Sequence, residues 1–377
     1  MRTGLIKLTL VVGAIAILTG CTLSTGPRLG GGTVNVALLV PTESADARVN
    51  SLAATLISAA NLAVSEMPEG RIQLTVYSTR GTVEGARAAA TAAKAAKARI
   101  IVGPLYADNA AVVGQEVAGS GIPVFSFSNN PEIAGGNVYT LGQSFEDTAA
   151  RLLAYASSQG RSRVLAIVPE GASGDVAANA VLRAANDTGV VYSGVSTYPF
   201  SQEGVQTSAS SIVRDINQTG SDIAIISANP AGALPLLAQS LGEENLNTSR
   251  TLVMGLARWD LPTSTLSLIT LQNGLFALPN IQAATDFSNR FQEFAGIPPQ
   301  LVTSVSYDAM KVVTTQVLSG TSDAFSQARL TSTTFKGASG DFRLSASGQT
   351  RRSLAIAQVE DGSYSVVSRT QINDTGS

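Results

Sequence analysis

ARIIVGPLYADNAAVVGQEVAGSGIPVFSFSNNP, residues 98–131, contains one complete unit of the fold. Residues 99–102 are a short apolar run rich in β-branched side chains and closed by Gly103-Pro104, the pattern of a parallel strand covered on both faces. Over 107–118, Ala111, Val112, Gln115 and Ala118 recur at helical spacing, and Gly119-Ser120-Gly121 ends the helix. Residues 122–127 read as the next strand. Strand, helix and strand within about thirty residues make one right-handed βαβ unit. Ligands of such sheets sit beyond the carboxyl ends of the strands, so residues 103–106 and 126–130 are expected to line one crevice.

The same alternation extends to both sides. Upstream, a strand over 33–40 is stopped by Pro41 and feeds a helix over 49–66 whose Leu52, Leu56, Ala60, Ala63 and Val64 share one face. Pro68 and Gly70 end that helix; a strand over 71–77 and an alanine-rich helix over 82–97 follow. Downstream, a short strand at 137–143 interrupts the pattern and leads to a helix at 145–158. Strands and helices then alternate through 163–168, 177–186, 190–198, 207–217, 222–227, 232–241 and 251–256, which repeats the first design. Residues 274–278, 285–295 and 301–318 read as a return to the first lobe that adds one strand and two helices. The tail is antiparallel in pattern at 340–344 and 354–367, with Asp361-Gly362 as a hairpin turn. The expected plan is one lobe over 33–143, a second over 144–273, the return over 274–336, C-terminal strands on the second lobe and hinge over 337–370, and a disordered tail over 371–377. Chains that cross between two lobes several times are hinged.

Residues 1–20 read as a targeting signal: Arg2 and Lys7 supply positive charge, residues 8–18 an apolar stretch too short to span a bilayer, and Leu18-Thr19-Gly20-Cys21 a processing site. That tetrapeptide resembles the bacterial lipobox, which implies acylation of Cys21 and a periplasmic protein whose only tie to a membrane is that lipid. Residues 21–32 read as a flexible tether reaching at most roughly 35–40 Å. Thr22 in place of aspartate favours the outer membrane over the inner. Cys21 is the only cysteine of 377 residues, so no disulfide forms within the chain. A net charge of −2 gives no basic face for nucleic acid.

Composition also removes most catalytic chemistry. There is no histidine, which excludes Ser-His-Asp and Cys-His nucleophiles and leaves no His or Cys set for zinc. The residues three before Lys7, Lys94, Lys97, Lys311 and Lys336 are Gly4, Thr91, Lys94, Asp308 and Thr333, so no Ser-x-x-Lys pair exists, and no Gly-x-x-x-x-Gly-Lys loop occurs. Gly171-Ala172-Ser173-Gly174 has the wrong spacing for a nucleophile elbow. Glu43, Asp46, Glu170, Asp175 and Asp260 all follow predicted strands, where paired carboxylates could act, but such acids ordinarily cap helices or face solvent. No catalytic residue, metal or cofactor is assigned.

With both lobes laid out, the chain resembles the type I periplasmic binding proteins, the fold of leucine-binding receptors of ABC transporters, over residues 33–367. The resemblance rests on Ile101-Val102-Gly103-Pro104, Gly121-Ile122-Pro123-Val124-Phe125-Ser126, Ser306-Tyr307-Asp308-Ala309-Met310-Lys311, and Phe335-Lys336-Gly337 with Gly340-Asp341-Phe342. It implies an α/β protein of two doubly wound, Rossmann-like lobes with a multi-strand hinge. In amino-acid receptors of that family, a small hydroxyl residue after the Gly-Pro turn and a Ser/Thr run after the fourth strand hold the ligand carboxylate. Ser126, Ser128, Asn129 and Asn130 match the second role, whereas Leu105-Tyr106 stands where the first is expected.

A second branch is also similar: the penicillin-binding protein activators, lipoproteins that dock on peptidoglycan synthases. Leu38-Leu39-Val40-Pro41, Ile101-Val102-Gly103-Pro104-Leu105, Val124-Phe125-Ser126-Phe127, Gly255-Leu256-Ala257-Arg258-Trp259-Asp260 and Pro298-Pro299-Gln300-Leu301 carry that likeness. Two readings follow. The leading one is a non-enzymatic, lipid-anchored module that activates a peptidoglycan synthase by contact. The alternative is a solute receptor that closes on an amino acid, of the branched-chain type, or on another small polar molecule, and presents it to an ABC permease. Either use draws on one cleft, lined by Pro41, Thr42, Leu105, Tyr106 and Ser126–Asn130 with Phe127 among them, and faced by Glu170, Asn229, Arg258, Trp259 and Tyr307. For 126–130 a local Asn-Pro turn that binds nothing is the competing account, and for Trp259 and Tyr106 it is ordinary packing.

Overall fold

The computed structural model describes residues 32–300 and 302–372. The expected signal peptide at 1–20, Cys21, the tether except its last residue, and residues 373–377 lie outside the described residues.

The first lobe begins with β1 (Val34–Val40), and α1 (Ala47–Ser65) returns the chain to β2 (Ile72–Ser78). Asp46 opens α1 by accepting from the Arg48 amide at 2.8 Å. Then come α2 (Val83–Ala95), β3 (Ile100–Val102), α3 (Ala107–Val117), β4 (Val124–Ser126) and β5 (Val138–Thr140). All five strands are parallel, in the order β2-β1-β3-β4-β5. Central β3 and β4 are wholly buried, as a continuous apolar run between two helix layers requires, whereas edge strand β2 alternates. One core lies under α1 and holds Leu38, Leu56, Ile100 and Phe125; the other lies under α2 and α3 and holds Leu39, Ala90, Ile101 and Val113.

The second lobe repeats this order. After α4 (Phe145–Ser158) the chain runs through β6 (Arg163–Pro169), α5 (Ala172–Thr188), β7 (Val191–Tyr198), α6 (Gln202–Thr219), β8 (Ile223–Ile226), α7 (Leu234–Glu243), β9 (Leu252–Gly255) and β10 (Leu275–Leu278). Strands β7-β6-β8-β9-β10 stand in the same 2-1-3-4-5 sequence. In each sheet the order reverses once, between β1 and β3 and between β6 and β8, and a doubly wound sheet opens its crevice at that reversal.

The chain then supplies α8 (Ile281–Ala295), α9 (Thr303–Ser319), α10 (Gln327–Ser332), β11 (Phe335–Gly337), β12 (Gly340–Leu344), β13 (Thr350–Arg352), β14 (Leu354–Glu360) and β15 (Ser363–Gln371). Three expectations need correction. Residues 275–278 do not rejoin the first sheet, because β10 pairs in parallel with β9 and antiparallel with β14 in the second; the two helices expected with them do return, as α8 and α9, through Phe287, Phe291, Met310 and Val313 in the core under α1. The C-terminal strands divide: β11-β12-β13 form a separate sheet whose Phe335 and Phe342 pack on the first lobe, and only β14 and β15 extend the second. Gln371, expected in a disordered tail, ends β15 and pairs with Leu354. The Asp361-Gly362 turn forms between β14 and β15 with φ of 47° and 76°, the left-handed pair a tight hairpin requires.

Three crossings join the lobes: β5 to α4, β10 to α8, and β13 to β14. Arg352, buried at the third, donates to the Leu141 carbonyl at 2.7 Å, beside the first. Among the described residues no helix is long and apolar enough to cross a membrane.

Candidate functional site

The loops that open at the two sheet reversals are those after β1, β3, β6 and β8. Gly103 makes the first lobe's side possible. Its φ is +87°, and a Cβ there would stand 2.2 Å from the Leu39 carbonyl oxygen, so only glycine lets the turn after β3 lie against β1. Beyond it Leu105 is half-buried and Tyr106 is 38% exposed, beside the partly open Thr42; Pro41 is buried beneath them.

The Ser126–Asn130 run is largely spent on itself. Ser126 is fully buried: its hydroxyl donates to the Pro104 carbonyl at 3.0 Å and accepts the Ser128 amide at 3.1 Å. The Ser128 hydroxyl accepts the Asn130 amide at 3.1 Å, and Asn130 Oδ1 the Glu132 amide at 3.0 Å. These Ser and Asn bonds hold a turn that packs the loops after β3 and β4 together. Phe127 is 3% exposed and belongs to the core. Of this run, Asn129 is exposed and Asn130 partly so.

In the second lobe Glu170 and Asn229 are exposed at the ends of β6 and β8, and the Asn229 side chain accepts the Ala231 amide at 2.8 Å. Arg258 is half-buried and grips Asp260 with two bonds of 3.0 and 2.6 Å, so its charge is already met. Two expected cleft residues are elsewhere. Trp259 is 0% exposed, 5.9 Å from the Phe276 ring and among Leu266 and Leu271, in the core under α6 and α7. Tyr307 is 2% exposed in the core under α1; its hydroxyl donates to Glu66 at 2.7 Å and accepts from Arg290 at 3.1 Å, and burial with the Glu66 bond pushes it up to about 12. Both are large amphipathic side chains that the interior can use as well as a ligand can.

What residue-by-residue reading missed is a pattern in the helix starts. Helices α1, α2, α4, α6, α8 and α10 are capped by the side chains of Asp46, Thr82, Ser144, Ser201, Asn280 and Ser326. Helices α3, α5, α7 and α9 begin at Tyr106, Gly171, Ala233 and Val302 with no capping side chain, and the first three of them follow β3, β6 and β8. The first amides of α3 and α5 retain donor capacity, whereas at α7 the Leu234 amide donates to the Asn229 carbonyl at 3.2 Å and Pro235 has no N–H; the open helix ends carry partial positive charge. The signal in the sequence was Tyr106 and Gly171 where Ser, Thr, Asp or Asn would cap α3 and α5. Asn109, in the first turn of α3, is 2% exposed, and its Nδ2 has no acceptor among the described residues. Large apolar side chains also remain open at neighbouring strand ends, Phe200 at 79% and Leu261 at 59%. The arrangement can bind an anion or a polar group.

A model of periplasmic binding proteins matches residues 33–363. Among proteins of curated function none matches by sequence. Solved structures share the fold at low identity. A putative branched-chain amino acid ABC transporter protein from Rhodospirillum rubrum is 16% identical with a TM-score of 0.69, over 89% of this chain and 100% of that one. A branched-chain amino acid ABC transporter ligand-binding protein from Burkholderia xenovorans is 16% identical with a TM-score of 0.63, over 90% and 94%. An ABC transporter substrate-binding protein from Desulfitobacterium hafniense in complex with Leu is 16% identical with a TM-score of 0.58, over 90% and 100%. With its sheets, crossings and the match over 33–363 taken together, the chain belongs to the periplasmic binding protein family.

Proposed function

We propose that this protein is an extracytoplasmic solute receptor that closes on a small carboxylate and presents it to an ABC-type permease. The observation that carries the reading is the pair of uncapped helix starts, α3 on one lobe and α5 on the other, at the ends of strands where each sheet reverses. Donors on both lobes favour a ligand that touches both, and such a ligand stabilises the closed form by its differential affinity. The relatives named above are ABC transporter proteins, one of them holding Leu. Tyr106, Asn129, Glu170 and Asn229 are the exposed side chains that would contact the remainder of the ligand. With no histidine in the chain, none of these groups has an imidazole base, which fits binding without turnover.

A second reading, contact activation of a peptidoglycan synthase, is favoured by the hydroxyls of Ser126 and Ser128 being occupied within their own loop and by Phe200 standing 79% exposed after edge strand β7. Calorimetry of the full-length protein against amino acids, aromatic carboxylates and peptidoglycan fragments separates the two. Saturable binding of a carboxylate supports the receptor; no such binding, with specific retention of a bifunctional peptidoglycan synthase, supports the contact module.

A further inference from the structure

A groove of about 290 Å³ lies at the crossing from β10 to α8, and its lining shares no residue with the loops of the sheet reversals. Its walls are Leu278, Pro279 and Ile281 on the crossing side and Ala355, Val366 and Arg369 on β14 and edge strand β15. The volume is near the lower limit of roughly 300 Å³ for small-molecule sites. Ile281 and Val366 are 42% and 55% exposed, so the apolar lining is open to a ligand.

One charge lines this groove, and it is Arg369. Its backbone is fixed from below: the buried Arg151 donates to the Arg369 carbonyl at 3.2 Å, to Ser368 Oγ at 2.6 Å and to the Leu354 carbonyl at 2.9 Å. Its own guanidinium has no hydrogen-bond or ion-pair partner among the described residues, and no carboxylate lines the groove. Asn280, also on the wall, caps α8 through its Oδ1, which accepts the Ala283 amide at 3.1 Å. An apolar trough with one unmatched, planar cation complements an apolar body that ends in a carboxylate.

We propose that the groove is a second binding site, independent of the cleft, for a small monocarboxylate with an apolar body. The carboxylate pairs with Arg369, and the hydrocarbon covers Ile281, Ala355 and Val366. One wall of the site is the crossing itself, so an occupant joins the edge of the second sheet to the segment that leads back to the first lobe.

Octanoate is the probe, titrated into methyl-labelled full-length protein and followed by NMR. The expected result is saturable shifts at the Ile281, Ala355 and Val366 methyl groups, an affinity about tenfold weaker in Arg369→Gln, and no saturation in Val366→Glu, which places a carboxylate in the groove. Both positions are exposed, so neither variant disturbs the core. Octan-1-ol is expected to bind more weakly than octanoate. Equal binding of the alcohol, unchanged affinity in Arg369→Gln, or shifts confined to the methyl groups of Leu105 and Ala231 in the cleft loops overturns the proposal. Shifts of the same methyl groups that follow protein concentration without octanoate assign the groove to a second copy of the chain and also overturn it. The cleft reading is untouched by each of these results.

Discussion

The guanidinium of Arg352 lies 2.6 Å from the carboxylate of Asp308, and both side chains are buried. Asp308 sits on α9 in the first lobe and Arg352 ends β13, one residue before the chain enters the second sheet. Asp308 also accepts the Ala338 amide at 2.6 Å, and the Arg352 amide donates to Asp147 on α4 at 2.8 Å. One ion pair thus fixes two of the three crossings to the first lobe's core.

Removing one partner of this pair strands the other charge in the interior. Arg352→Met is expected to cost about 3–5 kcal/mol in urea unfolding, and the double variant Arg352→Met/Asp308→Leu to recover part of that loss. A cost of the single variant near zero would show that the pair does not hold the crossing.

Asp147 makes folding pH-dependent. It is buried, its Oδ1 has no partner among the described residues, and desolvation raises it from 3.8 to about 6 against the pull of Arg351, Arg352 and the Arg352 amide, with Glu146 adding to the rise. A folded-state value above the unfolded one means that the contribution is fully present below about pH 4 and is lost as pH rises through about 6. Asp147→Asn should flatten that fall, a difference approaching roughly 3 kcal/mol between acid and neutral pH. Thermal melts at pH 4, 5, 6 and 7 check it, and parallel curves for the two proteins would contradict it.

Trp259 is the only tryptophan and is fully buried, so iodide should not quench its fluorescence with or without ligand. Trp259→Ala is expected to cost about 3–5 kcal/mol. Gly255→Ala should also destabilise, since a Cβ there would meet Trp259 Nε1 at 2.2 Å. Efficient iodide quenching would return Trp259 to the cleft.

The fold was legible because period carries it: apolar runs such as 100–102 and helical spacing in 145–158 reflect burial between layers, which the chain states locally. Strand partners are not local. Leu275–Leu278 reads the same whichever sheet it joins, and only β9 and β14 decide the matter. Site residues suffer the same ambiguity, because Ser126, Trp259 and Tyr307 combine a polar atom with a packable body, and neighbours distant in sequence settle which is used. Gly103 and the Asp361-Gly362 turn were legible, since their backbone conformations follow from residue type.

The cleft itself is tested at exposed positions. Asn129→Trp and Tyr106→Ala should weaken carboxylate binding at least about tenfold while changing stability by no more than about 0.5 kcal/mol. Ser126→Trp is unsuited to this test, because a fully buried serine hydrogen-bonded to Pro104 leaves no room for an indole. Unchanged affinity in both cleft variants would move the site elsewhere.

The most direct measurement is calorimetric titration of the full-length protein with a panel of small carboxylates, each paired with its neutral amide. Saturable binding of at least one carboxylate, lost in its amide, is the result expected if the uncapped starts of α3 and α5 hold an anion between the lobes. Equal binding of acid and amide, or no binding of any carboxylate by a protein that retains a peptidoglycan synthase, would contradict it.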